Sequence, residues 1–167
     1  MTKLTADDFN RLYREHARRA QGFFLRMTGD SVLAEDLTQE LFTRLWEHRS
    51  QFDAHRGDFL KWMFSVAYNL CKNEYRHRSV VETWDSATSD TECAQDASVA
   101  LEREEQKRLL ANAVRHLPDG VREVFLLRYE EELSISDVAS ILLIPEGTVK
   151  SRSFTALSIL REKMKNV

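Results

Sequence analysis

Glycine, proline and cysteine are scarce in this chain: five, two and two among 167 residues. So little Gly and Pro leaves few of the tight turns that a sandwich or barrel of short strands needs. Cys71 and Cys93 form neither a disulfide framework nor a CxxC metal knuckle, and they suit a reducing compartment. No window approaches the roughly 18–20 consecutive apolar residues of a membrane span. The start, MTKLTADDFN, has no apolar run of signal-peptide length, so a cytoplasmic protein is expected. HExxH, GxSxG and Gly-rich phosphate loops are all missing, as is any acid–base pair in a recognisable pocket signature. His48, Asp53 and His55 match no compact metal-site spacing and read as ordinary surface residues. The expectation is a non-enzyme without catalytic residues, metal, cofactor or small-molecule substrate.

What is present favours helices. Leu, Ala, Glu and Arg are abundant, and a 43% hydrophobic content suffices for a core in one domain or two small ones. The formal charge of -3 is unevenly spread. Residues 1–78 carry 13 basic and 11 acidic side chains, 79–100 carry none and five, and 101–167 carry 11 of each. The middle stretch, SVVETWDSATSDTECAQDASVA, is rich in Ser, Thr and Asp and lacks a helical or strand period, so it reads as a linker. The chain thus divides into a domain over 1–78, an acidic tether over 79–100 and a domain over 101–167.

In the first domain Phe9, Leu12, Tyr13, His16, Ala17, Ala20, Phe23, Phe24 and Met27 fall at three- and four-residue steps, an amphipathic helix that Gly29 and Asp30 end. Ser31 is positioned to cap a second helix, in which Leu33, Leu37, Leu41 and Leu45 share one face. Asp36, Gln39 and Glu40 then turn outward, which fits a solvated face as well as a docking one. After the loop FDAHRGD comes FLKWMFSVAYNLCKNEYRHR, where aromatics alternate with cations. Cations hold phosphates and exposed rings stack unpaired bases, so this segment suits single-stranded nucleic acid, although Phe59, Met63, Phe64, Val66, Ala67 and Leu70 also suit a core. Asn69, Lys72, Asn73 and Arg76 recur at helical spacing as one polar face.

In the last domain Leu101, Leu109, Leu110, Ala113, Val114 and Leu117 form a helical stripe that Pro118 stops, with Asp119 placed to cap the next helix. Ser134 and Asp137 have the S-x-x-D form of a capping box. In LIPEGTVKSRSF, Pro145 breaks a helix, Gly147 tolerates turn geometry, and Thr148 or Glu146 can cap a new N-terminus: a helix-turn-helix. Val149, Ala156, Leu157 and Leu160 can face inward, leaving Lys150, Ser151, Arg152, Phe154 and Thr155 near the exposed N-terminal part that enters a major groove. Two packed helices with a solvated basic face would show the same spacing.

Three segments in order, AEDLTQELF at 34–42, AYNLCKNEYRHR at 67–78 and ILLIPEGTVKSRSF at 141–154, resemble regions 2.2, 2.3–2.4 and 4.2 of the extracytoplasmic function sigma factors, small alternative initiation subunits of bacterial RNA polymerase. The resemblance implies an all-α chain of two small helical domains, sigma regions 2 and 4, joined by a flexible acidic linker. It implies docking of Asp36, Gln39, Glu40 and Arg44 on the clamp coiled coil of core RNA polymerase. Trp62, Asn69, Lys72, Asn73 and Arg76 would take part in capturing an unstacked base of the promoter minus-10 element, between the 52–58 loop and the following helix. Thr148, Lys150, Ser151, Arg152, Phe154 and Thr155 would contact the minus-35 duplex, with Thr155 and Leu157 standing where many members carry Arg. The tether would mimic RNA in the polymerase channels, and an anti-sigma factor, often membrane-bound in this family, is an implied partner. A stand-alone helix-turn-helix repressor or activator is the alternative reading, and it would usually need a dimer to span two half-sites.

Overall fold

The computed structural model describes residues 4–53, 55, 57–81 and 101–165, with the backbone alone at 76–81. The acidic tether beyond Val81, and Cys93 within it, lie outside the described residues. Seven α-helices and no strand occur among them. The chain divides into two compact units, Met1–Asp90 and Thr91–Val167.

The first unit is a three-helix core. Helix α1, Ala6–Thr28, starts with Thr5, whose hydroxyl accepts from the Asp8 amide at 3.2 Å while the Asp8 carboxylate accepts from the Thr5 amide at 3.4 Å. This reciprocal pairing satisfies two otherwise orphaned donors, and the Thr5 hydrogen bonds hold the Asp8 carboxyl below its ordinary pKa. Gly29, at φ 70°, closes α1 in the left-handed conformation that lacks a Cβ penalty. Helix α2, Ser31–Glu47, is capped one residue earlier than its sequence suggested: Asp30, not Ser31, accepts from the amides of Val32 and Leu33 at 3.0 and 3.1 Å. A carboxylate that captures two amides outcompetes a neighbouring hydroxyl for the cap. Asp30→Ala should therefore lower stability by about 1 kcal/mol and Ser31→Ala by much less, as read from urea midpoints; equal losses would contradict the assignment.

A 3-10 turn at Arg49–Gln51 leads toward α3, Phe59–Val81, which continues three residues past the domain end read from the sequence. The composition shift to Ser, Thr and Asp begins before the helix has ended. Phe23, Phe24, Leu41, Leu45, Met63 and Phe64 are fully buried between the three helices, with the Phe23 and Phe64 rings edge to face at 5.3 Å. Each such side chain stabilises the unit by roughly 1.5–3 kcal/mol through burial alone. The Tyr75 hydroxyl donates to the Met27 carbonyl, tying α3 to the end of α1. Cys71 is entirely buried in this core.

His16 stacks on Phe59 at 5.4 Å with its side chain 14% exposed. Burial lowers its pKa from 6.5, with Arg19 acting in the same direction, while Glu15, 4.0 Å away, and Asp58 oppose the shift. The unfolded chain thus takes up this proton more readily, so the stability present above about pH 6.5 falls as pH drops through that value and levels off below the folded pKa. The urea midpoint of the first unit, followed by tryptophan fluorescence, should fall between about pH 7.5 and 5.5. His16→Gln should flatten that profile; an unchanged slope would remove His16 as its cause.

The second unit contains α4, Leu101–Arg115; α5, Asp119–Phe125, continued by a π-helical stretch Leu126–Glu130; α6, Ile135–Leu142; and α7, Glu146–Lys165. Pro118, not Asp119, occupies the cap position of α5. Asp119 instead pairs with Arg122 at 2.8 Å, and Arg122 donates to the Arg115 carbonyl at 3.0 Å, joining the end of α4 to the start of α5. Ser134 does cap α6, accepting from the Asp137 amide at 3.0 Å. The left-handed residue of the α6–α7 turn is Leu143, at φ 56°, whereas Gly147 lies inside α7. The reversal must follow the last turn of α6 directly, so it falls on a leucine at a local cost of about 1–2 kcal/mol. Val124, Leu126, Leu127, Val138 and Val149 make the core of this unit.

Candidate nucleic-acid interface

Three outward surfaces emerge from these helices, two on the first unit and one on the second. On α2 the buried side chains Ala34, Leu37, Thr38, Leu41, Phe42 and Leu45 fill one side. The helical period then leaves Glu35, Asp36, Gln39, Glu40, Thr43, Arg44 and Glu47 exposed on the other. All four docking candidates read from the sequence lie on this face. Glu40 and Arg44 pair at 2.5 Å one turn apart, with both side chains more than 40% exposed, so the pair adds little to stability and remains accessible to a partner. Glu35 and Glu47 extend the acidic face beyond the four, a consequence of the same period.

On α3, Asn69 and Asn73 are exposed one turn apart, and Lys72 beside them lies half-buried with its ammonium 5.9 Å from the Tyr68 ring centre. Arg76 continues the same helix one turn on, with its side chain outside the described residues. Trp62 is half-buried and stacked on Phe52 at 5.0 Å and 14°, with Phe59 edge-on at 6.0 Å. Trp62 is therefore packed and partly accessible at once. Trp62, Val66 and Asn69 line a cleft of about 260 Å³ whose other side is Arg44, His48 and Gln51, from the end of α2 and the 3-10 turn. The cleft places Arg44, read from the sequence as a docking residue, beside two residues read as nucleic-acid contacts. His48 and Gln51 were not singled out as contacts by sequence reasoning, and Phe52 entered only as the first residue of the 52–58 loop. They approach α3 only through the turn after α2, and no periodicity signals that.

On α7 the packed side is Val149, Ser153, Ala156 and Leu160, with Leu157 half-buried. Lys150, Ser151, Phe154 and Thr155 are exposed on the opposite side, and the Phe154 ring is 72% exposed. Thr148 is half-buried, its amide donating to the Pro145 carbonyl at 3.0 Å, which starts the helix. Arg152 differs from its neighbours. It is half-buried on the flank of the helix, and its guanidinium lies against Gly120 in the first turn of α5, where an added Cβ would come within 2.9 Å of Nη1. A glycine at 120 lets this charged group rest on the α5 backbone.

No three His, Cys, Asp or Glu side chains gather as metal ligands among the described residues. No described helix is long and apolar enough to cross a membrane.

Residues 12–80 match the family profile Sigma-70 region 2, and residues 107–160 match Sigma-70, region 4. The chain is 36% identical over 154 residues to the ECF RNA polymerase sigma factor SigL of Mycobacterium tuberculosis strain H37Rv, covering 90% of this chain and 85% of that protein. It is 31% identical to the ECF RNA polymerase sigma factor SigW of Bacillus subtilis, covering 85% and 81%. Among solved structures, its fold is similar to the sigma factor RpoE of Bartonella quintana, crystallised with the anti-sigma factor NepR, at a TM-score of 0.79 with 22% identity over 96% of this chain and 98% of the other. A second similar fold is CnrH in complex with the cytosolic domain of CnrY, at a TM-score of 0.69 with 23% identity over 97% and 90% of the two chains.

Proposed function

Because this chain belongs to the extracytoplasmic function sigma factors of RNA polymerase, we propose that it binds core RNA polymerase and directs it to a specific promoter set, reading the minus-10 element with its first unit and the minus-35 element with its second. The observation that supports this division of labour is the presence of two differently built outward surfaces in one chain. One is a cleft lined by Trp62, the amides of Gln51 and Asn69 and the Arg44 side chain, and the other is an outward helix face after a sharp turn. The first suits an unstacked base and the second a duplex groove.

In this reading the acidic outward face of α2, centred on Asp36, Gln39, Glu40 and Arg44, docks on a basic surface of the polymerase clamp. Docking sets α3 beside the strand that is to be opened. Unstacking a base costs a few kcal/mol, which stacking against the Phe52–Trp62 pair and hydrogen bonds from Asn69 and Asn73 offset, while Lys72 and Arg76 neutralise phosphates. Lys150, Ser151, Phe154 and Thr155 enter the major groove of the upstream element, and Arg152, held on the α5 side, reaches the adjacent backbone. A net charge of -3 fits a helix delivered to DNA by a larger enzyme, since free binding through phosphates alone would need a far more basic surface. The two similar folds were solved with an anti-sigma factor and with the cytosolic domain of CnrY, and an anti-sigma partner is part of the proposal for this chain too.

Reconstitution tests it. Core polymerase with this chain should start transcription at a distinct promoter set drawn from a genomic library, and core polymerase alone should not. Tight, polymerase-independent operator binding by a dimer of the chain, with no redirected transcription, would favour the stand-alone regulator instead.

A further inference from the structure

The exposed face of the first turns of α7 carries little charge. Of its four exposed residues between 150 and 155, Lys150 alone is charged, and Phe154 presents a ring that is 72% exposed. The Thr155 hydroxyl donates to the Ser151 carbonyl at 3.0 Å, and the Ser151 hydroxyl donates to the Thr148 carbonyl at 3.1 Å. Both hydroxyls are thus turned back onto the helix, and the outward group of Thr155 is its methyl. The guanidinium that could pair bidentately with guanine, that of Arg152, rests against Gly120 on the flank. The next exposed arginine on this side, Arg161, lies seven residues beyond Phe154, two turns or about 10.5 Å along the axis, too far to share the same base steps.

From this arrangement we propose that Phe154 and Thr155 are specificity-determining residues that read the 5-methyl groups of adjacent thymines in the upstream element. Recognition there runs through apolar contact and not through arginine–guanine pairing. The inference rests on the reading of α7 as the groove-entering helix. Thymine is the one base that offers a methyl in the major groove, and aromatic rings and threonine methyls are its fitting partners. Lys150 supplies phosphate or acceptor contact without choosing among pyrimidines.

The test uses full-length chain with core polymerase and a duplex library randomised across the upstream element. Selected sequences should contain a thymine-rich pair of positions, and replacing each of those thymines with uracil, which removes only the methyl, should weaken promoter binding about fourfold per site. Phe154→Ala should abolish the uracil penalty at one position while leaving the remaining positions of the element as they were; Phe154 is exposed, so its truncation spares the core. Thr155→Arg should move the preference at the other position toward guanine. If an upstream element emerges with guanine at the contacted steps and indifference to uracil, the methyl reading is overturned while the minus-35 assignment stands. If no upstream element emerges at all, the minus-35 assignment falls with it.

Discussion

Changing Asp36 and Glu40 together to lysine is expected to weaken the complex with core RNA polymerase about 100-fold, equivalent to roughly 2.7 kcal/mol. Both residues are exposed one turn apart on α2, on a face that Glu35 and Glu47 make more acidic still, and the double substitution reverses its centre by four charges. Charge reversal against a complementary surface replaces attraction by repulsion on both sides of the contact. The fold should hardly notice. The Glu40–Arg44 pair is surface-exposed, and an i,i+4 pair of this kind contributes only about 0.3–0.5 kcal/mol. The measurement is a titration of labelled chain with core polymerase at fixed salt, beside thermal melts of the free variants. Affinity retained within about threefold, with helicity intact, would remove α2 as the docking face.

The second large effect lies on α3. Asn69→Ala with Lys72→Ala should lower the rate of promoter opening about 30-fold or more, since two hydrogen bonds, one of them charge-assisted, together contribute about 2–4 kcal/mol. Binding to a minus-35 duplex should change by less than about threefold, because α7 retains every contact. Asn69 and Lys72 are better probes than Trp62. Trp62 packs on Phe52 and Phe59, so its removal mixes lost stacking on DNA with lost packing in the protein. A template melted in advance at minus-10 should restore part of the loss only if the pair acts in opening. Equal defects in opening and in minus-35 binding would contradict the division between the units.

Much of this architecture is legible in the chain because helices announce themselves by period. The stripes from Phe9 to Met27 and from Leu33 to Leu45 face inward as their spacing requires, and the exposure of Asp36, Gln39, Glu40 and Arg44 follows from the same angle. The ends are less legible. Asp30 and Ser31 are both good cap residues, and only the backbone geometry decides that the carboxylate takes the amides. Leu143 in a left-handed turn cannot be inferred when Gly147 stands nearby as the more permissive residue. The sequence reading sets Arg152 with Lys150 and Ser151 near the exposed N-terminal part of α7, yet three residues after Val149 and four before Ala156 its angle places it beside the packed side. The cleft of Arg44, His48, Gln51, Trp62, Val66 and Asn69 is tertiary. It depends on how the turn after α2 meets α3, and no local pattern encodes that meeting.

The central claim is that one chain carries two nucleic-acid surfaces used on two segments of one promoter. Photocrosslinking from single sites tests it most directly, with a photoreactive side chain replacing Asn73 in one preparation and Ser151 in another, both exposed in the structure. With core polymerase and a promoter selected by the chain, position 73 should crosslink to the nontemplate strand of the minus-10 segment and position 151 to the minus-35 duplex. Crosslinks from both positions to the same segment, or an equally efficient pattern without polymerase, would contradict the account.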